Sequence, residues 1–241
     1  SCGGTNLTTR DINMSLVEDP LLIEAYNKTN YDVEYNKYAH QLSKSKYDID
    51  SYKLRIPAGE IKASLPIRIR PEGLSPDSIY FIPIRIDSHD SYEANPDKNY
   101  VLFEVRIKNY YANAEGTTYN LKGNEDNRNI FGTKIMHPLS ANKVRIMAGT
   151  EAYTSNIEMH KKYALILNIN EENKVHITPY GDIQVNQIDD DFEFPNAFNM
   201  SFDGYRYYKT FLLRYNFTIN NKTYQMREEL RLQFDPENED E

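Results

Sequence analysis

Two alternating segments near the end of the chain constrain the fold more than any other feature. Residues 207–219 place Tyr207, Phe211, Leu213, Tyr215, Phe217 and Ile219 on one side, and residues 223–234 place Tyr224, Met226, Leu230, Leu232 and Phe234 on one side. A period of two marks a strand with one buried face, because successive side chains leave a pleated backbone in opposite directions. The link Asn220-Asn221-Lys222 predicts a hairpin, since Asn tolerates the positive φ that a tight turn demands. Such a hairpin must bury its apolar face against another sheet or against the rest of its own sheet. A closed, lipocalin-like barrel and a second sandwich both satisfy that requirement.

The same period recurs upstream. In residues 60–70 every odd position from Ile61 to Ile69 is apolar, and Pro66 on the polar side favours an edge strand. Tyr80, Ile82, Ile84 and Ile86 share one face, as do Val101, Phe103, Val105 and Ile107. Shorter strands are predicted at 32–35 and 52–56, and a helix around 20–27. Short strands separated by Pro, Gly, Asp and Asn turns point to an antiparallel sandwich over residues 20–108. After Ile107 the aliphatic stripe stops and the chain stays polar through Arg128, which sets a boundary near 108. Residues 109–241 then read as a second β-domain, with further strands at 117–121, 143–148, 163–169, 174–179 and 182–187. The fold class is all-β.

The 241 residues include a single Cys, at position 2, which excludes a disulfide framework and structural zinc sites built from several thiolates. The net charge is −8, and the acidic tail Asp235, Glu237, Glu239, Asp240 and Glu241 supplies five of those charges. A nearly neutral body does not bind nucleic acid by bulk electrostatics. No apolar run reaches the roughly 18 residues a transmembrane helix needs. Cys2, preceded by Ser1 and followed by Gly3-Gly4-Thr5-Asn6, reads as the acylated Cys of a bacterial lipoprotein, with residues 1–19 as a lipid tether. On this reading the membrane is met through the lipid anchor alone.

Catalytic motifs are missing from the sequence. The five His residues, at 40, 89, 137, 160 and 176, are scattered without metal-ligand spacing, and no nucleophile elbow, P-loop or dinucleotide fingerprint occurs. No metal, no cofactor and no enzymatic activity are expected. Asp189-Asp190-Asp191-Phe192-Glu193 reads as a solvated acidic loop. Glu228 falls among the inward residues Met226 and Leu230, so it must be paired, neutral or turned outward by a bulge, with Arg214 or Arg227 as partner. A glycosidase would need a second carboxylate facing it, and none is placed there by sequence. The 20 Tyr are the remaining resource, because a ring that is flat, apolar and tipped by a hydroxyl suits both strand packing and sugar binding. Tyr110, Tyr111, Tyr205, Tyr207 and Tyr208 are the candidate ligand-binding residues.

Ile56-Pro57-Ala58-Gly59, the alternating run to Arg70 and Tyr80-Phe81-Ile82-Pro83-Ile84-Arg85-Ile86 resemble the "I-x-A-G" and "Y-x-L-P-I-x-I" strands of a known domain. It is the small Ig-like β-sandwich at the front of many outer-membrane lipoproteins of Bacteroides-type bacteria, and the second half resembles a β-rich domain that often follows it. The resemblance implies a cell-envelope lipoprotein of polysaccharide-utilisation machinery, non-catalytic, with a glycan-binding or accessory role. It leaves the surface and periplasmic leaflets of the outer membrane open. Asp77-Ser78-Ile79 resembles the site at which these bacteria O-glycosylate exported proteins, with Ser78 as acceptor. The alternative role is a structural or adhesin-type envelope protein that acts through protein partners.

Overall fold

A computed structural model describes residues 7–91 and 93–237. Cys2 and residues 238–241 of the acidic tail lie outside the described residues. The chain divides into two compact units, one of residues 1–71 and 78–106 and the other of residues 72–77 and 107–241.

The first unit is built on strands β1 (Ile12–Glu18), β2 (His40–Gln41), β3 (Tyr47–Asp48), β4 (Lys53–Ile56), β5 (Arg68–Ile69), β6 (Tyr80–His89) and β7 (Tyr100–Val105), with one helix, α1 (Leu21–Tyr31). β1 lies between β4 and β6, β7 pairs with the other side of β6, β2 runs parallel to the start of β6, and β3 and β5 form a separate ribbon. Pro20 opens α1 and the Asp19 carboxylate accepts the Leu21 N–H at 3.1 Å, so the helix starts where proline costs nothing and an acid meets its positive end. Ile23 from α1 and Phe81 from β6 are buried together with Ala39. Asn27 is buried beside them because its side chain replaces a strand neighbour, donating to the Ala39 carbonyl at 2.9 Å and accepting the Ala39 N–H at 2.8 Å.

Three expectations are corrected in this unit, the first being the strand at 32–35, where α1 ends in a turn that leads into a single 3-10 turn, Tyr35–Lys37. Residues 12–18 are no tether: β1 pairs with both β4 and β6 and is interior to the sheet. Of the alternating run 60–70, only Arg68–Ile69 pairs, with Tyr47–Asp48. Pro66 cannot donate to a ladder, Ile61 stays 40% exposed, and alternation alone does not supply a neighbouring strand.

The second unit is a nine-stranded antiparallel sheet, curled into a nearly closed barrel. Its strands are β8 (Thr117–Glu125), β9 (Arg128–Ser140), β10 (Lys143–Met147), β11 (Ala164–Ile169), β12 (Val175–Pro179), β13 (Gln184–Gln187), β14 (Ala197–Phe202), β15 (Tyr207–Ile219) and β16 (Lys222–Phe234), with α2 (Ile157–Tyr163) before β11. Their order is β12-β11-β10-β9-β8-β16-β15-β13, and β14 also pairs with β15. The two ends of that order meet where the Ile177 N–H donates to Gln187 Oε1 at 2.6 Å and Lys174 bridges Ala197. Asn220 and Asn221 take φ of 50° and 61°, the left-handed pair the hairpin requires. Phe211, Leu213, Tyr215, Met226 and Leu230 are fully buried in the interior with Tyr119, Met136 and Leu165. Each such side chain contributes about 1.5–3 kcal/mol by leaving water.

Glu228 also lies inside, at 0% exposure, and its partner is Lys134 of β9, itself 3% exposed at the side chain, in place of Arg214 or Arg227. Tyr215 donates its hydroxyl to Glu228 at 2.8 Å and accepts the Gly149 N–H at 3.1 Å, so each member of the chain has a partner. Burial, followed by the Glu228 charge, pushes the Tyr215 hydroxyl well above its ordinary pKa and keeps it a donor.

Candidate functional site

The interior face of the barrel continues past its own core. On the face shared by β14, β15 and β16, cross-strand pairing lines up Phe198, Phe211 and Leu230, then Met200, Lys209 and Leu232, then Phe202, Tyr207 and Phe234. Along β15 exposure rises from 0% at Phe211 through 6% at Lys209 to 40% at Tyr207, so the last row is a rim. Phe202 and Tyr207 lie 4.6 Å apart between ring centroids, and Tyr207 and Phe234 5.9 Å. Tyr205 stands 93% exposed on the turn between β14 and β15.

Lys209 holds the rim to the segment before β8. Its ammonium lies 3.7 Å over the Tyr110 ring and 4.8 Å over Phe234, and it donates to the Tyr110 carbonyl at 2.5 Å. A desolvated cation on aromatic faces contributes about 2 kcal/mol. Tyr110 directs its hydroxyl at the Met200 sulfur and keeps 41% of its surface exposed. The Asp203 carboxylate accepts the N–H groups of Tyr205 at 3.0 Å and Arg206 at 2.9 Å, bonds that hold its carboxyl below the usual range and shape the turn.

Of the five Tyr picked out by sequence, the structure thus brings Tyr110 and Tyr207 together through Lys209, with Tyr205 on the adjoining turn. Tyr111 packs inward, with ring centroids 4.9 Å from Phe198 and 5.7 Å from Phe211, and burial raises its hydroxyl pKa. Tyr208 faces the opposite side of β15, where Arg231 stacks on it at 3.7 Å. Lys209, Met200, Phe202 and Phe234 were missed. The pattern offered a clue, since a Lys at an inward position between Tyr207 and Phe211 needs a partner.

The acidic loop is exposed at Asp189, Asp190, Phe192 and Glu193, as its reading as a solvated loop expects, with Asp191 turned inward. The Asp191 side chain is 7% exposed, 2.6 Å from Arg227 Nε and 3.6 Å from Arg214 Nε. Ser78 is half-buried in a bend, and the neighbouring Asp77 carboxylate is held by both terminal nitrogens of Arg145, one at 2.7 Å. Burial alone would raise that carboxyl, but Arg145 outweighs it and holds it below the ordinary range. The Tyr153 ring lies between His137, at 4.4 Å, and His160, at 5.4 Å. Burial first and Arg145 second push His137 down to about 4. Among the described residues no group of three or more His, Cys, Asp and Glu could hold a metal ion, and no helix is long and apolar enough to cross a membrane. The first unit has an apolar groove of about 410 Å³ lined by Leu16, Leu54, Ile84, Val101 and Phe103.

A β-rich unit with a curled sheet, followed by a barrel-like unit with an aromatic rim, defines a two-domain all-β protein. A family model described as "-like, C-terminal" matches residues 99–231, more than half of the chain, and one described as "-like, N-terminal domain" matches residues 1–93. The chain belongs to this two-domain family. No curated protein matches it. Among solved structures, a Bacteroides ovatus protein of unknown function is similar at 16% identity and a TM-score of 0.69, covering 96% of this chain and 83% of that one. A multidomain protein including DUF1735, also from Bacteroides ovatus, is similar at 14% identity and 0.65, covering 96% and 82%. An auxiliary nutrient binding protein from Bacteroides thetaiotaomicron is similar at 16% and 0.62, covering 95% and 81%. The neighbours share the fold and come from Bacteroides, in keeping with the type of bacterium that the sequence resemblance indicates.

Proposed function

We propose that the chain is a non-catalytic accessory protein that binds glycan on the rim formed by Tyr110, Phe202, Tyr205 and Tyr207. The observation that carries this reading is the rim itself: four aromatic side chains at least 40% exposed, Phe202 and Tyr207 aligned by strand register, Tyr205 on the adjoining turn and Tyr110 held by the buried cation of Lys209. Flat rings beside hydroxyls and a cation suit pyranose faces, which are apolar on the C–H side and polar at the edge. The nutrient-binding description of one fold neighbour supports an accessory role. Two carboxylates face the interior and each has a basic partner, Glu228 sealed from solvent with Lys134 and Glu125 with Arg128 at 3.2 Å, which favours binding over hydrolysis. Acylation of Cys2 and attachment to the outer membrane belong to the same proposal; loss of fatty-acid labelling in Cys2→Ala tests them.

Titration calorimetry against a panel of soluble polysaccharides tests the rim. Each aromatic contact contributes about 1 kcal/mol, so Tyr205→Ala with Tyr207→Ala weakens binding about thirtyfold. Wild-type protein that gives no heat with any glycan, yet co-purifies with an envelope protein, would replace this reading with the assembly role.

A further inference from the structure

The outer face of the barrel carries a second feature, away from the rim and unused by it. On β16, β8 and β9 the register lines up Arg227 with Asn124 and Asn129, and Glu229 with Lys122 and Phe131. All six side chains point away from the interior, because their neighbours Glu228, Leu121 and Ile130 are buried. Over this face runs the loop that follows β13. Asp191 ties it down, accepting the N–H groups of Glu193 and Phe194 at 3.1 Å each while meeting Arg227 and Arg214. Two cavities of about 430 and 380 Å³ result, and both are lined by Arg227 and Glu193.

Three Phe rings line these cavities, Phe192 in one and Phe131 and Phe194 in the other, and two of them pack on almost nothing. Phe192 is 98% exposed and Phe131 is 73% exposed. A Phe at the tip of a loop tied at the adjacent residue is held out in water at a cost that a bound ligand would recover. Over the two cavities the polar lining mixes both signs: Arg214, Arg227 and Lys122 are found with Asp190, Glu193 and Glu229. Asn124, Asn127 and Asn129 add amides that both donate and accept. A polyanion would meet the acids and a cation the basic groups. A neutral polyol with apolar C–H faces satisfies rings, amides and paired charges together.

We propose that this pair of adjoining cavities is a second glycan subsite, a groove selective for uncharged sugar residues, with Phe192 as the apolar surface of one cavity and Phe131 of the other. It rests on the glycan reading above and extends it to a face that the rim does not reach. The test is affinity electrophoresis in gels containing dextran, galactomannan or xyloglucan, with polygalacturonate as the charged control. The expected result is retardation of the wild-type chain by at least one neutral polymer and none by polygalacturonate. Phe131→Ala with Phe192→Ala weakens that retardation at least tenfold while the melting temperature stays unchanged, because both rings are exposed. Equal retardation of wild type and this double variant overturns the groove and leaves the glycan reading standing, as does preference for polygalacturonate. Absence of retardation in the wild type by every polymer overturns both. The Tyr205→Ala, Tyr207→Ala chain, run alongside, separates the rim's share from that of the groove.

Discussion

Replacing Lys134 by Met tests the interior of the barrel most directly. The side chains of Lys134 and Glu228 are 3% and 0% exposed, and apart from Lys134 the bonded partner of Glu228 is the Tyr215 hydroxyl. Met nearly matches the volume of the Lys stem, so the cavity contribution is small and the change removes the charge. Truncating one member of a buried ion pair costs about 3–5 kcal/mol, because the remaining charge stays in a medium that solvates it poorly. At roughly 2–4 °C per kcal/mol for a chain of this size, the melting temperature of the second unit falls by about 6–20 °C. Lys134→Met combined with Glu228→Leu removes both charges and recovers most of that loss, since well-packed apolar replacements of buried pairs are often neutral or stabilising. Scanning calorimetry on the wild type, both single variants and the double variant measures the coupling as a mutant cycle. If all four melt within 2 °C of one another, the carboxylate is not held by Lys134 and the account of the interior fails.

Two further perturbations probe the same unit. His137 sits at about 4 against an ordinary 6.5, so its unfolded form takes up a proton first as the pH falls. Its share of stability, about 3 kcal/mol, is therefore complete above pH 6.5 and lost progressively between 6.5 and 4. Urea midpoints for wild type and His137→Gln should differ in slope over that window and run parallel above it; parallel curves throughout would refute the assignment. At the hairpin, Asn221 has a φ of 61°, so Asn221→Val costs about 1–2 kcal/mol whereas Asn221→Gly holds or raises the midpoint.

How much of this could be read beforehand depends on what hides a strand. β15 and β16 were readable because their inward positions are nearly all apolar and their turn is chemically explicit. β9 was not, although it is equally long: its inward row contains Gly132 and Lys134, and Lys134 makes sense only beside Glu228, 94 residues away. β14 escaped for the opposite reason, because Asn199 and Ser201 alternate with residues that are themselves half in water. Residues 60–70 erred the other way, with correct alternation and no neighbour for most of their length. Period two reports which side of an extended chain is apolar. It does not report whether a second chain is there to pair with it.

The same limit explains why the rim was only partly found. Within β15 the inward row runs Tyr207, Lys209, Phe211, Leu213, and sequence treats it as one continuous face. The sheet does not, because the partners that cover Phe211 thin out toward Phe202 and Phe234, and the change from core to surface happens at Lys209. A cation at that boundary fits both sides: its stem is buried and its charge rests on Tyr110 and Phe234, adding to the contacts that Tyr110 makes with Met200 and Phe234 with Tyr207. Aromatic side chains beyond the boundary are thus held in place before any ligand arrives, which lowers the ordering cost of binding. A Lys209→Met change separates the two roles of the row. It keeps the stem and the fold, removes one of the contacts that hold Tyr110 and Phe234, and so weakens polysaccharide binding while thermal stability falls by no more than about 2 kcal/mol. Loss of stability with undiminished binding would make Lys209 part of the core alone.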